Sequence, residues 1–230
     1  MAAKAKGLIA ETFKFFRELG RNNNTAWMET NRERYRAQIV QPLRDLMEQL
    51  SPSVLKLDSE FLITGRSGDN FSRINRDIRF ARDKTPYKTH MYIMFRSPQS
   101  RENGGATLYV GASTDGASVG MKDYFEGKES GMAQFGIPRG KQHGPWLEKQ
   151  KKRLARKYDS YWYSSEKNSW TKHQGWPTKP EEWKKLKAWI VRRKFSKAGA
   201  ARPNFAAEAA KIFREVLPLY QFTSSPKWKP

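Results

Sequence analysis

The feature that most constrains this chain is the crowding of three apolar runs, residues 91–95, 106–111 and 116–124, into one short stretch. A parallel crossover needs a dozen or more residues, usually a helix, whereas an antiparallel pair closes over a tight turn. Thr114, Asp115 and Gly116 supply such a turn. The sheet is therefore expected to be mixed or mainly antiparallel rather than doubly wound and parallel. Residues 61–64, stopped by Gly65, read as a short strand. So do residues 74–80, with Ile74, Ile78 and Phe80 on one face and Arg73, Asn75, Asp77 and Arg79 on the other. The sheet region is thus expected over about 61–124, with about four strands. The polar, glycine-containing residues 97–105 read as a mobile loop.

Helical spacing surrounds this region. Leu8, Phe15, Phe16 and Leu19 mark a first helix closed near Gly20, and the Asn22, Asn23 and Asn24 run offers caps for a second. There Trp27, Tyr35, Ile39, Leu43, Leu46 and Leu50 form one stripe, which Pro42 should kink and Ser51-Pro52 should end. After Gly144-Pro145, Trp146, Gln150, Leu154 and Tyr158 again follow a helical period, while residues 160–179 are aromatic, polar and aperiodic. Pro180 suits the first position of another helix, with Leu186, Trp189 or Ile190, and Phe195 inward, closed by Gly199. A last helix is expected over about 203–217. The expected fold is α/β of the α+β type, a single mixed or mainly antiparallel sheet flanked by N- and C-terminal helices. It forms one domain over 1–230, with N-terminal helices at about 8–50 and a basic helical part at about 145–217.

Charge narrows the function. Forty-four Lys and Arg against 23 Asp and Glu give +21, and residues 141–230 hold 22 of the basic residues but only 7 acids. Concentrated like charge opposes folding and is relieved by an anionic partner. It also serves solubility alone, on the exposed sides of helices. Cysteine is absent, which excludes disulfides, thiolate nucleophiles and Cys-ligated metals. No apolar stretch reaches the length of a spanning helix, and the N-terminus lacks a signal-peptide core. A cytoplasmic setting is the economical reading.

The densest chemistry lies at residues 73–88, where Arg73, Arg76, Arg79, Arg82, Lys84 and Lys88 accompany only Asp77 and Asp83. Arginine forks grip carboxylate or phosphate bidentately, and Pro86 restrains the backbone between the flanking lysines. Two readings stand side by side: the aspartates orient arginines toward a bound anion, or they lock the strand to the first helices. In the second, replacing Asp83 would leave a buried charge unpaired.

This run and the earlier asparagines carry a resemblance. Phe15-Phe16-Arg17-Glu18-Leu19-Gly20-Arg21-Asn22-Asn23-Asn24-Thr25-Ala26-Trp27-Met28, followed by Arg76-Asp77-Ile78-Arg79-Phe80-Ala81-Arg82-Asp83-Lys84-Thr85-Pro86-Tyr87-Lys88, is similar to the uncharacterised family known as domain of unknown function 2461. Met28, Phe16 and Ala81 depart from the family's usual Phe, Leu and Ser, and without a hydroxyl Ala81 cannot act as a nucleophile. The resemblance implies a single α/β fold and carries no reaction.

Asp77, Asp83 and His90 are the candidate catalytic groups, His90 because its ordinary pKa lies near neutrality. Histidines 90, 143 and 173 form no local metal motif, and neither a nucleophile elbow nor a phosphate-binding glycine fingerprint is present. No metal and no cofactor is expected. Lys152, Arg153 and Arg156, with Trp170 and Trp176, combine charge with stacking rings and are the candidate nucleic-acid contacts. The preferred expectation is non-catalytic binding of an anionic partner, nucleic acid first. The alternatives are an enzyme for a phosphorylated or other anionic small substrate, and a peripheral membrane or protein-interaction module, an anionic membrane surface ranking behind a phosphorylated ligand.

Overall fold

A computed structural model of the chain describes residues 7–124, 132–164, 169–173, 182 and 185–230. The N-terminal helices follow the apolar stripes. Helix α1 (Ala10–Arg21) buries Phe13, Phe15, Phe16 and Leu19. Helix α2 (Thr25–Thr30) starts where Asn24 Oδ1 accepts the Trp27 amide at 2.8 Å. A short α3 (Arg32–Tyr35) passes through one wide π-type turn, Arg36–Val40, into α4 (Gln41–Leu57). The turn absorbs the break at Pro42, whose missing N–H falls in the first turn of α4, where no helical partner is needed. Ser51-Pro52 does not end the stripe, because α4 runs on to Leu57 and buries Val54 against the core.

Three strands follow the expected order: β1 (His90–Phe95), β2 (Thr107–Ser113) and β3 (Gly116–Tyr124), with β1–β2 and β2–β3 antiparallel. The loop at 97–105 contains a one-turn helix, α5 (Pro98–Glu102), capped by Ser97. Neither residues 61–64 nor 74–80 form a strand. Instead, the buried Asn70 side chain accepts the Thr64 and Gly65 amides and donates to the Leu62 and Met94 carbonyls. It pins the 62–70 segment to β1 from outside the sheet. Residues 76–86 form a protruding loop, closed at its base by the Arg76 amide on Pro86 O and the Lys88 amide on Ile74 O. Asp77 Oδ1 accepts the Arg79 amide, a local side-chain bond that turns the backbone away from a ladder. Phe80 consequently stands at the loop tip, 95% exposed, rather than beside Ile74.

The C-terminal third departs most from expectation. After a π-type turn at Met132–Gly136 come α6 (Ile137–Gln142) and α7 (Gly144–Leu154). The aperiodic aromatic stretch then forms two strands, β4 (Asp159–Ser164) and β5 (Trp170–His173). The expected helix after Pro180 is instead β6 (Leu186–Phe195), while Pro180 itself lies outside the described residues. Helical spacing groups Leu186, Trp189 and Ile190, whereas a period of two groups Trp189, Val191 and Phe195; these residue types favour a pleated surface, and two waiting strand edges decide it. The order is β1-β2-β3-β6-β4-β5, with β6 antiparallel to both β3 and β4. Two helices finish the chain: α8 (Lys197–Ala200) and α9 (Phe205–Ser224).

One face of the sheet carries the core. Ile93, Phe95, Leu108, Val110, Val119, Met121, Trp189 and Val191 pack there with Phe13, Leu46, Phe213 and Leu219 from the helices. Helix α9 crosses β2 and β3 on this face, α1 touches β2, and α4 touches both α9 and β1. The mostly antiparallel sheet with helices from both termini is the expected class of fold.

Candidate functional site

Directly opposed residues of antiparallel strands project to the same side, so the register defines what the other face of the sheet displays. One row runs Tyr124, Ala188, Tyr163, Trp170 across β3, β6, β4 and β5. The next runs Thr107, Lys122, Ile190, Tyr161, Lys172. A third runs Met94, Tyr109, Gly120, Arg192, Asp159, and a fourth Tyr92, Gly111, Ser118, Lys194. Aromatic rings and cations alternate over the whole face, with Asp159 as the acid among these four rows.

The rings form a connected layer. Trp170 lies 5.5 Å from Tyr163 and meets Tyr124 edge-on at 6.5 Å, and both Tyr124 and Trp170 are about two-fifths exposed. Tyr92 leans across Gly111 and meets Tyr109 edge-on at 5.6 Å. A side chain at Gly111 would approach the Tyr92 ring to 2.7 Å, so the glycine is what lets that ring lie down. The Arg192 guanidinium sits 4.5 Å above the Tyr161 ring. Asp159 is taken by Lys172 at 2.7 Å, which leaves Lys122, Arg192 and Lys194 without a carboxylate among the described residues.

Lys122 is the most unusual of these. Its Nζ stands 4.7 Å from the Tyr92 ring centre, 5.6 Å from Tyr124 and 5.9 Å from Tyr109. Burial, then the nearby Arg96 and Lys88 charges, push its ammonium down to about 8. His90 belongs to the same neighbourhood, its ring 5.2 Å from Tyr92. Burial first, with Lys88 and Lys122 adding to it, holds the imidazole below its ordinary pKa and therefore neutral at pH 7.

In the 73–88 loop both aspartates pair with arginines at the surface. Asp77 binds Arg79 through two bonds of 2.7 and 3.0 Å, and Asp83 binds Arg76 and the Thr85 amide. Both aspartates are well exposed, so the pairs are no buried lock onto the helices. Asp83 is held down to about 2, by the Thr85 amide first and then by Arg76, so it stays ionised and moves no proton near neutrality. Asp77 is lowered likewise, by the Arg79 side chain and then its amide. Lys84 Nζ donates to Ile78 O at 3.0 Å, bracing the tip. Arg73, Arg82 and Lys88 keep no acid partner among the described residues, Arg73 lining a groove of about 270 Å³ beside Arg32 and Arg44.

The structure separates the expected nucleic-acid contacts. Trp170 belongs to the aromatic face, whereas Lys152, Arg153 and Arg156 lie on or just beyond α7, which packs on the helical side. Arg153 donates to Gln150 and, at 2.8 Å, to Glu215 O of α9. Arg156 borders a basic cavity of about 360 Å³ with Lys157, Arg193 and Lys211. Trp176 lies outside the described residues. Lys122, Tyr92, Tyr109 and Arg192 escaped the sequence reading. The alternation of 116–124 already put Lys122 with Tyr124, but a helical period over 186–195 hid Arg192.

The two segments that carry the family resemblance meet in space. Asn23 Nδ2 donates to Tyr87 O at 2.9 Å, and Asn23 Oδ1 accepts the Tyr87 amide at 3.0 Å. Residues 11–222 match the model of a family described as conserved hypothetical protein (DUF2461). Among curated proteins, none matches the chain.

Proposed function

The chain belongs to the DUF2461 family, whose description names no reaction, and we propose from the site alone that the protein binds single-stranded nucleic acid on the face of its sheet opposite the core helices. The observation that supports this is the alternation of rings and cations in register across that face. Unpaired bases stack on aromatic side chains, and a strand's phosphates need positive charge at intervals between them. Tyr124, Tyr163 and Trp170 offer the stacking row, and Lys122, Arg192 and Lys194 the charge beside it. A duplex hides its base faces and gains only the electrostatic part.

Fluorescence anisotropy with a labelled single strand and its duplex, across salt concentrations, tests the reading. Trp170→Ala should weaken the single strand by roughly 1–3 kcal/mol and leave the duplex nearly unchanged. Lys194→Ala should reduce the salt slope. A slope that falls instead only with joint replacement of Lys152, Arg153 and Arg156 moves the interface to the helical side. Absence of binding at low salt rejects it.

A further inference from the structure

Beside the aromatic face, where β1, β2 and β3 meet the loop at 103–105, lies a cavity of about 510 Å³. Lys122, Arg96, Arg101 and the carboxylate of Glu102 line it, together with Gly104 and Gly105. Both glycines have positive φ, 73° and 158°, and a side chain at Gly105 would come within 3.0 Å of Ser224 Oγ. The glycine side of the cavity is therefore bare backbone.

Neither Lys122 nor Arg96 has a carboxylate at salt-bridge distance among the described residues. Lys122 is half-buried, its three ring neighbours are neutral, and the charges that act on it are the cations Arg96 and Lys88. Arg96 is anchored by one Nη2 bond to Gly68 O at 2.7 Å, while its buried Nε finds no acceptor. Arg101 is engaged by Asp69 at 3.0 Å, and Glu102 is exposed. Burying a cation without a counter-charge is costly, and a desolvated ammonium beside a fixed guanidinium binds a compact dianion strongly.

We infer that this cavity receives a phosphate monoester group, with Lys122 and the fork of Arg96 as its ligands. The inference goes beyond strand binding and does not depend on it. The phosphate can belong to a small free phosphoester or to the 5′ end of a strand.

The test uses inorganic phosphate with the full chain at matched ionic strength, read by ³¹P NMR line broadening and by thermal unfolding. Phosphate should broaden and should raise the Tm of the wild type. Lys122→Met should weaken phosphate at least tenfold, yet raise the Tm of the free protein, because a buried charge has gone. Lys122→Gln should do the same to phosphate binding, and Lys194→Met, on the exposed face, should leave it intact. Phosphate binding that is absent, or equal in wild type and Lys122→Met, overturns the inference. A 5′-phosphorylated oligonucleotide that outbinds its 5′-hydroxyl twin, only while Lys122 is present, assigns the group to a strand end. Equal affinity of the two, with phosphate still bound in a Lys122-dependent way, assigns it to a small phosphoester. Strand binding is read separately by the Trp170 variant, so either reading can fail alone.

Discussion

Lys122, half-buried, and Asp123, fully buried, are consecutive in β3, yet they point to opposite faces of the sheet and neither neutralises the other. Asp123 is 0% exposed beneath α9. Burial raises its carboxyl to about 7; the Thr223 hydroxyl and the Trp189 indole oppose this, but neither carboxyl oxygen has a partner at hydrogen-bond distance and angle.

These neighbours should carve a minimum into the pH–stability curve. Between about 4 and 7 the folded chain holds the Asp123 proton that the unfolded chain has lost, so stability falls as pH rises. Between about 8 and 10.5 the unfolded chain keeps the Lys122 proton that the folded chain has lost, so stability rises with pH. The lower limb is on the order of 4 kcal/mol and the upper on the order of 3 kcal/mol. In urea titrations across pH, Asp123→Asn should flatten the lower limb and stabilise the protein at pH 8. Lys122→Met should flatten the upper one. Unchanged limbs in both variants would mean that neither charge is desolvated.

Phosphate affinity should follow the Lys122 ammonium. Around it stand Tyr92 and Arg96 from β1 and just beyond, Tyr109 from β2, Tyr124 from β3, Lys88 and His90 at the start of β1, and Arg101 and Glu102 from α5. Burial lowers the His90 imidazole, so the group that changes charge over this range is Lys122, and binding should weaken as pH passes about 8. A bound dianion should carry the Lys122 pKa back upward. Calorimetric titration with inorganic phosphate from pH 7 to 10 measures both, and a flat profile would falsify the assignment of Lys122 as the titrating ligand.

The Asn23–Tyr87 clamp joins the helical N-terminus to the root of the 76–86 loop. Asn23→Ala leaves both Tyr87 backbone groups without that partner and should cost about 1–3 kcal/mol in urea unfolding. Asn23→Asp keeps the acceptor for the Tyr87 amide but loses the donor, so a value between wild type and Ala is expected. Equal losses would place the whole effect on the donated bond.

Asp83 should matter locally. Its exposed pair with Arg76 gives little to global stability, since solvent screens such pairs, so Asp83→Ala should leave the urea midpoint nearly in place. Loss of the Arg76 and Thr85 bonds should instead loosen the loop tip. Faster tryptic cleavage after Arg79 or Arg82 is the expected readout, and a large midpoint shift would return the residue to the core.

What the sequence made legible follows the distance over which each signal acts. The stripes of α1 and α4, the Asn24 cap and the turn at 114–116 are local, and their residues state them directly. Strand β6 is not local: its identity depends on edges presented by β3 and β4, and its own residues satisfy two periods. The aromatic face needs the β3–β6 register, which aligns Lys122 with Ile190 and Gly120 with Arg192 across a long separation. The crowding of charge at 73–88 was visible, but not that its aspartates would spend themselves within the loop.

The position of β6 also governs how the molecule must be assembled during synthesis. It is the last strand in the chain and lies between β3 and β4 in the sheet. Until residue 195 has emerged, β1–β3 and β4–β5 are two incomplete ribbons, each with a bare edge rich in unpaired backbone groups. The helix that roofs β2 and β3, α9, is made later still. Completion therefore waits for residues 186–224, which predisposes the sheet to slow closure and leaves nascent edges open to pairing with other chains.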